Sequence, residues 1–263
     1  PVVATTYSNA GLMYKALGRQ AEAETYLAKG LAIRSAVEGE EHEATAGDCN
    51  ALANVLVLQN KLDEAQALLE RALRIRRAVF GDDNEYTAAT LGDMALLLSR
   101  RGRHEEALEL GRRVLATHER VHGCSHPAAG VSHHNIAGIM RRLGQHAAAL
   151  EHFGKAADIF EGAGSGSHLM DAALAYFNKG ELLEQLGRQE DALACHQKAL
   201  QAADSSPSKE WDLLADVHGR VGTLLLALGR HSEAIASYEQ SQVAATKVFG
   251  ANHAVSATAL FNL

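Results

Sequence analysis

Proline, cysteine and aromatic residues are scarce in this chain of 263 residues. It contains three prolines, three cysteines and 5% aromatic residues, although 47% of its residues are hydrophobic. So few prolines leave long stretches in which nothing interrupts a helix. With so few aromatic residues, alanine and leucine must supply most of the buried surface, and both are strong helix formers. The composition therefore predicts an all-α fold.

Excess basic charge and long apolar runs are lacking as well. The formal net charge is −7 and the pI is near 6.1, whereas general nucleic-acid binding needs a basic footprint. No apolar run approaches the roughly 20 residues of a membrane-spanning helix. The residues after Pro1 lack the charged and then apolar pattern of a signal peptide. Cys49, Cys124 and Cys195 are too few and too widely spaced for a disulfide framework, which favours a reducing compartment. We therefore expect a cytoplasmic protein that binds neither nucleic acid nor membrane.

What the chain does contain is one short pattern, repeated six times. It first occurs as Gly18-Arg19-Gln20-Ala21-Glu22-Ala23. Equivalent turn residues follow at spacings of 42, 42, 42, 43 and 42, and the six are Gly18, Asn60, Gly102, Gly144, Gly187 and Gly229. A fixed period in this range is typical of stacked structural repeats. We therefore expect a single array over residues 1–263.

Each repeat is predicted to be a helix–turn–helix hairpin, with helix A before the turn residue and helix B after it. In repeat one, apolar spacing predicts helix A over 2–17 and helix B over 21–37, with Leu27, Leu31 and Ile33 facing inward. The repeat boundaries are about 2–43, 44–85, 86–127, 128–169, 170–212 and 213–254, with a partial seventh repeat at 255–263.

Small residues recur at two places in every hairpin. Seven residues before the turn residue stand Gly11, Ala53, Ala95, Ala137, Gly180 and Gly222, and alanine stands five residues after it in all six repeats. Small side chains let two helices approach to about 8–10 Å between their axes. A large residue at either place should force the hairpin apart.

These residues resemble the tetratricopeptide repeat, whose pattern combines a small residue, aromatic residues and alanines in a helix–turn–helix. Repeat one supplies Tyr7, Ala10, Gly11, Tyr14, Ala23, Leu27 and Gly30, and repeat six supplies His218, Val221, Gly222, Leu225, Ala234, Tyr238 and Ser241. The resemblance covers almost the whole chain. It implies a right-handed superhelical solenoid of six repeats plus the partial seventh, with helix A lining a concave groove that binds peptides or partner proteins.

Two features depart from the general tetratricopeptide pattern. The period is 42 rather than 34 residues, and the usual proline after helix B is absent. Instead, a glycine ends helix B and a polar residue follows three positions later, as in Gly39 with His42 and Gly81 with Asn84. This variant resembles the 42-residue repeats of kinesin light chains and of many bacterial proteins, and the composition rich in alanine and glycine favours a bacterial source.

The resemblance implies that groove-lining residues lie 13, 10, 9, 6, 3 and 2 positions before the turn residue; we call this surface the helix-A face. Amide side chains on or close to this face are Asn9, Asn50, Asn54, Asn135, Asn178 and Asn262. An amide offers a donor and an acceptor together, so it can pair with the backbone of an extended peptide. The alternative is that these amides only bridge neighbouring helices.

Charged and aromatic residues also fall on or near the helix-A face. The cationic and histidine candidates are Lys15, Arg100, His134, Arg141, Arg142 and Arg220. Because arginine pairs well with carboxylates, we expect a ligand that is acidic in part, although Glu181 and Glu184 would repel it or would receive a basic part of it. A solvated face of mixed charge is the alternative. Phe177 could anchor an apolar side chain of the ligand or fill the core between repeats.

Neither a metal site nor a catalytic site is favoured. His118, His122, Cys124, His126, His133 and His134 are close in sequence but loosely spaced for metal ligands. The recurrence of a linker histidine at 42-residue intervals favours helix capping or packing instead. Paired carboxylates such as Glu105 and Glu106 begin a helix B, where negative charge suits the helix dipole. We therefore expect neither a cofactor nor enzymatic activity.

Three functions fit this pattern. The leading hypothesis is a protein-interaction scaffold that binds a peptide or partner segment in the groove. The second is a sensor or regulatory region of a larger signalling or effector protein, since the sequence ends within the seventh helix. The third is self-assembly into a homo-oligomer through uncapped ends, because Val255, Leu260 and Leu263 would leave an apolar terminal face.

Overall fold

The described part of the chain is built from helices. The computed structural model describes residues 1–163 and 166–249, so the predicted helix at 255–263 and Asn262 lie outside the described residues. The helices are α1 Val2–Ala16, α2 Gln20–Glu38, α3 Glu43–Leu58, α4 Leu62–Phe80, α5 Glu85–Arg100, α6 His104–His122, α7 Pro127–Arg142, α8 His146–Gly162, α9 Leu169–Gln185, α10 Gln189–Ser205, α11 Trp211–Ala227 and α12 His231–Phe249, with a 3₁₀ turn at Gly166–His168. The prediction of an all-α fold with six helix–turn–helix repeats is confirmed.

The six turn residues have the backbone conformation that ends helix A. Five are glycines with φ between 72° and 78°, and Asn60 has φ 62°. A residue with positive φ reverses the helical path, and glycine and asparagine tolerate this conformation best. In repeat one, the Arg19 N–H then donates to the Tyr14 carbonyl at 2.9 Å. This bond closes the C-terminus of α1 and directs the chain into α2.

The chain divides into two compact units, Pro1–Val121 and His122–Leu263. In the first unit, α1 to α5 pack each against the next in sequence, and α1 and α5 also contact α3. In the second, α7 to α12 pack each against the next in the same way. Five of the first helices, α1, α3, α7, α9 and α11, therefore pack against the helix B of their own repeat. Four of them, α3, α5, α9 and α11, pack against the helix B of the preceding repeat.

The small residues of each hairpin lie at close contacts between helices. A Cβ added to Gly11 would lie 2.6 Å from Leu27 Cγ, and one added to Gly222 would lie 2.8 Å from the Tyr238 ring. The alanines five residues after each turn residue are buried in all six repeats. The predicted role of these positions in close helix packing is confirmed.

The linker histidines cap helices. His42 Nδ1 accepts a hydrogen bond from Ala44 N at 3.2 Å, and His126 Nδ1 accepts one from Ala128 N at 3.2 Å. In the same way, Asn84 Oδ1 accepts a hydrogen bond from Tyr86 N at 2.9 Å. A side chain that satisfies an orphan N–H of the first turn stabilises the start of a helix, which confirms the predicted capping role.

One inward-facing residue of repeat one was predicted wrongly. Ile33 is only half-buried, and its neighbour Arg34 is buried instead. The Arg34 Nε atom lies 2.5 Å from Asp48 Oδ2, and Ser8 Oγ donates to Asp48 Oδ1 at 2.8 Å. The contact between the first two repeats therefore contains a buried ion pair, in which Asp48 offsets the charge of Arg34.

Candidate functional site

Charged side chains on the helix-A face of the second unit form a continuous network. Glu181 on α9 lies 3.4 Å from Arg141 on α7 and 3.0 Å from Arg220 on α11. Arg220 also contacts Glu184 at 3.3 Å, and Glu184 contacts His196 Nε2 at 2.7 Å. Arg141 and Arg220, two of the predicted cationic residues, therefore form ion pairs with carboxylates of the protein itself. An acidic ligand would have to compete with Glu181 for them.

His134 and Asn178 meet on the same face, from α7 and α9. The Asn178 Nδ2 atom lies 3.2 Å from His134 Nε2, and the His134 ring packs edge-on against Phe153 at 5.4 Å. Burial is the main cause that lowers the pKa of His134. A neutral imidazole can accept a hydrogen bond from the Asn178 amide. This contact bridges neighbouring helices, which is the alternative role expected for the groove asparagines.

Phe177 belongs mainly to the core of the second unit. It is half-buried, packs against the core cluster of that unit, and its ring lies 5.4 Å from the His196 ring. His196 is fully buried. The geometry therefore favours the core-filling role of Phe177 over that of a ligand anchor.

Two further predicted residues of the second unit have no ion-pair or hydrogen-bond partner of their own within the described ranges. Asn135 is half-buried and Arg142 is exposed at the end of α7. Their side chains keep their hydrogen-bonding capacity for water or a ligand. Arg142 is therefore the predicted cation of this unit that is most available to an acidic ligand.

In the first unit, the predicted residues gather around a carboxylate that the sequence analysis did not single out. Asn50 Nδ2 donates to Asp93 Oδ2 at 2.6 Å, and the Asn54 amide is near enough to influence the pKa of this carboxyl group. Burial raises the pKa of Asp93, while these two amides and the positive charge of Lys15 act in the opposite direction. Asp93 stands nine positions before Gly102, where other repeats carry asparagine, so its position was the available signal.

Asn50 connects this carboxylate to a buried arginine. The Thr90 hydroxyl donates to Asn50 Oδ1 at 3.2 Å and accepts from Arg76 Nη1 at 2.8 Å. Asn50 and Arg76 are each 7% exposed. The polar groups of Asn50 are therefore hydrogen-bonded mainly to neighbouring side chains. Asn54 and Lys15 are half-buried and have more contact with solvent.

The last predicted residues of the first unit are exposed. Asn9 on α1 and Arg100 at the end of α5 lie at the surface, and neither has a hydrogen bond or ion pair to another described residue. These two side chains are free to contact a ligand, whereas Asn50 is already committed to Asp93.

Sequence reasoning missed the apolar part of the helix-A face. Exposed apolar side chains occupy lining positions in both units: Leu12, Leu58 and Leu96 in the first, and Val131, Leu174 and Leu226 in the second, with exposures of 41–48%. Exposed apolar side chains that lie beside polar groups are typical of protein-interaction surfaces. Their spacing relative to the turn residues could have identified them.

Among the residues that the structure describes, no three histidine, cysteine or acidic side chains are grouped as metal ligands would be. His126 caps α7, and His133 lies 2.9 Å from His152 between their Nδ1 atoms. Within the same residues, no helix has the length and apolar character required to cross a membrane.

Solved structures with the same fold include several repeat proteins. BtubC (BKLC) from P. vanneervenii is 18% identical with a TM-score of 0.72, over 89% of this chain and 93% of that chain. A Podosopora anserina protein described as a kinesin light chain with nearly identical TPR-like repeats is 19% identical with a TM-score of 0.64, over 80% and 99% of the two chains. A Rap protein complexed with competence and sporulation factor is 15% identical with a TM-score of 0.70, over 98% and 72%. At these identities the similarity shows the fold alone.

Family models give the more specific result. A comparison with curated proteins gives no match. One model described as tetratricopeptide repeat matches residues 3–44. A second model with the same description matches residues 47–120, 93–162, 128–205 and 171–242. These ranges cover most of the chain and coincide with the hairpins of the structure. The chain therefore belongs to the tetratricopeptide repeat family.

Proposed function

We propose that this chain is a protein-interaction scaffold whose helix-A face binds an extended peptide or partner segment. The observation that carries the proposal is the combination of exposed leucine and valine side chains with free polar groups on that face. In the second unit, Leu174 is 42% exposed and Arg142 is exposed without a carboxylate partner among the described residues. Apolar side chains supply binding energy, and the polar groups fix the register of the ligand.

The fold supports this role because part of the helix-A face is held in place before a ligand arrives. His134 is bonded to Asn178, and Asn50 to Asp93. Side chains that are already ordered lose little entropy on binding. Among the proteins of similar fold, the Rap protein was solved in complex with competence and sporulation factor. We further propose that the six repeats form one array and that the protein is cytoplasmic.

A peptide array probed with the purified chain tests the apolar part of this proposal. We expect Leu174→Asp to weaken binding of the retained peptides about tenfold or more, because a charge replaces an apolar contact. Ile235→Asp on α12 is the matched control, since Ile235 is 48% exposed but lies outside the helix-A face. Equal loss in both variants, or no peptide retained by the wild type, contradicts the proposal.

The charge preference is tested with Arg142→Glu. If the ligand is acidic in part, this variant should lose acidic peptides and retain neutral ones. Arg112→Glu on α6, which reverses another exposed arginine away from the helix-A face, should bind as the wild type does. Unchanged binding of acidic peptides to Arg142→Glu would remove the acidic preference but not the scaffold function.

Self-assembly is a second candidate, favoured by the uncovered side of α1. Met13 is 71% exposed, whereas Val55, its equivalent 42 residues later, is fully buried. Val3 is likewise 58% exposed. A second copy that packs against Met13 and Val3 would bury these apolar side chains. Light scattering should then show an oligomer that Met13→Glu dissociates, and a monomer at every concentration rules this candidate out.

A further inference from the structure

A cleft in the second unit lies away from the helix-A face. It opens between α8 and α10, has α9 as its floor, and has a volume of about 430 Å³. Its apolar lining residues include Leu150 on α8 and Tyr176 and Leu183 on α9. This volume is in the range of small-molecule sites, which are apolar pockets with a few well-placed polar groups.

In the cleft, a small residue stands where two other repeats carry a ring. In repeat one, Tyr7 and Tyr26 stand 11 before and 8 after the turn residue, and their rings lie 5.8 Å apart. In repeat four, His133 and His152 occupy the same two places, with rings 4.9 Å apart. Repeat five instead pairs Tyr176 with Cys195. A thiol is much smaller than either ring, and the half-buried Cys195 lines the cleft.

A lysine enters this space from a position that is apolar in the other repeats. Lys179 stands eight before the turn residue, where the other five repeats carry Ala10, Leu52, Met94, Ile136 and Val221. Lys179 is half-buried, and its ammonium lies over Gly154 of α8, only 3.2 Å from where a Cβ on that glycine would be. Burying a cation costs free energy unless it is paired. Packing of the repeats alone does not call for a lysine here.

A second lysine lines the cleft without a carboxylate. Lys198 stands 11 positions after the turn residue of its repeat. Arg113 and Lys155 stand at the same position in their repeats, and each is near a carboxylate. Arg113 lies 3.7 Å from Asp82, and Lys155 lies 2.7 Å from Glu151. Lys198 has no such carboxylate partner in the described ranges, and its Nζ atom lies 5.3 Å from the centre of the Tyr176 ring.

The two acidic residues that line the cleft are already neutralised. Asp191 pairs with Arg188 at 2.6 Å, and Glu151 pairs with Lys155 at 2.7 Å. Both lysines are also close enough to Cys195 to act on its thiol: burial raises the pKa of Cys195, while Lys179 and Lys198 lower it. Two lysines without a direct carboxylate partner in the described ranges therefore line one half-enclosed cleft.

We propose that this cleft binds a small anionic ligand with an apolar body, such as an aromatic or aliphatic phosphate or carboxylate. The anionic group lies between Lys179 and Lys198, and the apolar body packs on the half-buried Leu150 and Cys195. Charge attraction is stronger in a half-buried site than in bulk water, because the effective dielectric constant is lower. The site is separate from the helix-A face, so its existence does not depend on the proposed function.

Titration calorimetry with phenyl phosphate at low ionic strength tests the proposal. We expect saturable binding of one equivalent of phenyl phosphate. Inorganic phosphate and phenol should bind more weakly, because phosphate has only the anionic group and phenol has only the aromatic ring. Lys179→Ala and Lys198→Ala should each weaken phenyl phosphate binding about tenfold. Lys247→Ala is the matched control, because Lys247 also lies over an aromatic ring, 4.6 Å from the centre of Trp211, but is outside the cleft.

Two of the three cysteines report where the ligand binds. Cys195 lines the cleft and is half-buried, whereas Cys124 is exposed. Phenyl phosphate should slow alkylation of Cys195 by iodoacetamide and leave Cys124 unaffected, as followed by mass spectrometry of the two peptides. Absence of saturable binding, equal affinity in the lysine variants, or no protection of Cys195 overturns the proposal.

Discussion

Gly180 and His196 are in van der Waals contact where α9 crosses α10. A Cβ added to Gly180 would lie 2.5 Å from Cε1 of the His196 ring, and that ring is fully buried. His196 stands 16 residues after Gly180, as Leu27 does after Gly11 and Tyr238 after Gly222. In each of these three hairpins a glycine on helix A makes room for a bulky residue on helix B.

Gly180→Ala should therefore destabilise the protein. We expect a loss of about 1–3 kcal/mol in the free energy of unfolding, because the methyl group overlaps the His196 ring. Gly138→Ala on α7 is the matched control. A Cβ there meets nothing within 4 Å, and alanine should raise helix stability by up to about 1 kcal/mol. Urea unfolding of both variants measures the difference, and a neutral Gly180→Ala would contradict the packing argument.

Ala107→Leu should disrupt the hairpin of repeat three. Ala107 is fully buried five residues after Gly102. Additional methyl groups at a packed position cost about 1–3 kcal/mol or more. Ala116→Leu on the exposed side of α6 should have little effect. Thermal unfolding followed by circular dichroism compares the two, and similar melting temperatures would show that the hairpin tolerates a large side chain.

The linker caps should contribute measurably to stability. Asn84→Ala removes the oxygen that accepts from Tyr86 N and should cost about 1 kcal/mol. Asn84→Ser should retain most of that stability, since serine is also a good capping residue. The measurement is the urea midpoint of both variants. If the two substitutions cost the same, capping is not what this side chain contributes.

Two equivalent buried arginines should respond differently to the same substitution. Arg34→Met leaves Asp48 buried without its cation and should cost roughly 3–5 kcal/mol. Arg76→Met removes a buried guanidinium whose Nε lacks a partner among described residues, and whose contacts are the neutral Thr90 and the Tyr86 carbonyl. We expect this second substitution to cost much less. Equal losses of unfolding free energy would contradict the difference in pairing.

Stability should fall as the solution becomes acidic. Burial lowers the pKa of His134, His196 and His218 in the folded protein. The unfolded chain, whose histidines have pKa values of about 6.5, therefore binds more protons once the pH falls below that value. The free energy of unfolding should be highest above it and should decrease as the pH falls toward the folded-state values.

Urea unfolding at pH of about 7.5 and about 5.5 measures this dependence. His134→Gln should reduce the loss between the two conditions, because one buried histidine no longer resists protonation. His231→Gln alters an exposed residue on α12 and should leave the loss unchanged. A wild-type protein that gains stability on acidification would show that buried histidines do not dominate the response.

The helices and their turns could be predicted from the sequence because the information is local. Positive φ at Asn60 follows from its own residue type and place in the repeat. The caps at His42 and Asn84 follow from their distance to the next helix. Each involves residues within one or two turns of chain, so a repeated pattern identifies them.

The partners of the site residues were not predictable in the same way. Asn50 was expected either to face a ligand or to bridge neighbouring helices, and it donates to Asp93, which is 43 residues away. Arg141 and Arg220 were expected to attract an acidic ligand, but both contact Glu181. These pairs depend on the rotation of one helix against another, to which a repeat pattern is insensitive.

The repeat period, the turn residues and the small packing residues are properties of each repeat, so they were enough to predict a series of helical hairpins. Which charges are free, which leucines are exposed and where a cleft opens beside Cys195 became known from the packing of the helices. Backbone conformation is set by neighbours along the chain, whereas the surface that a partner meets is set by side chains about forty residues apart whose positions the packing of helices fixes.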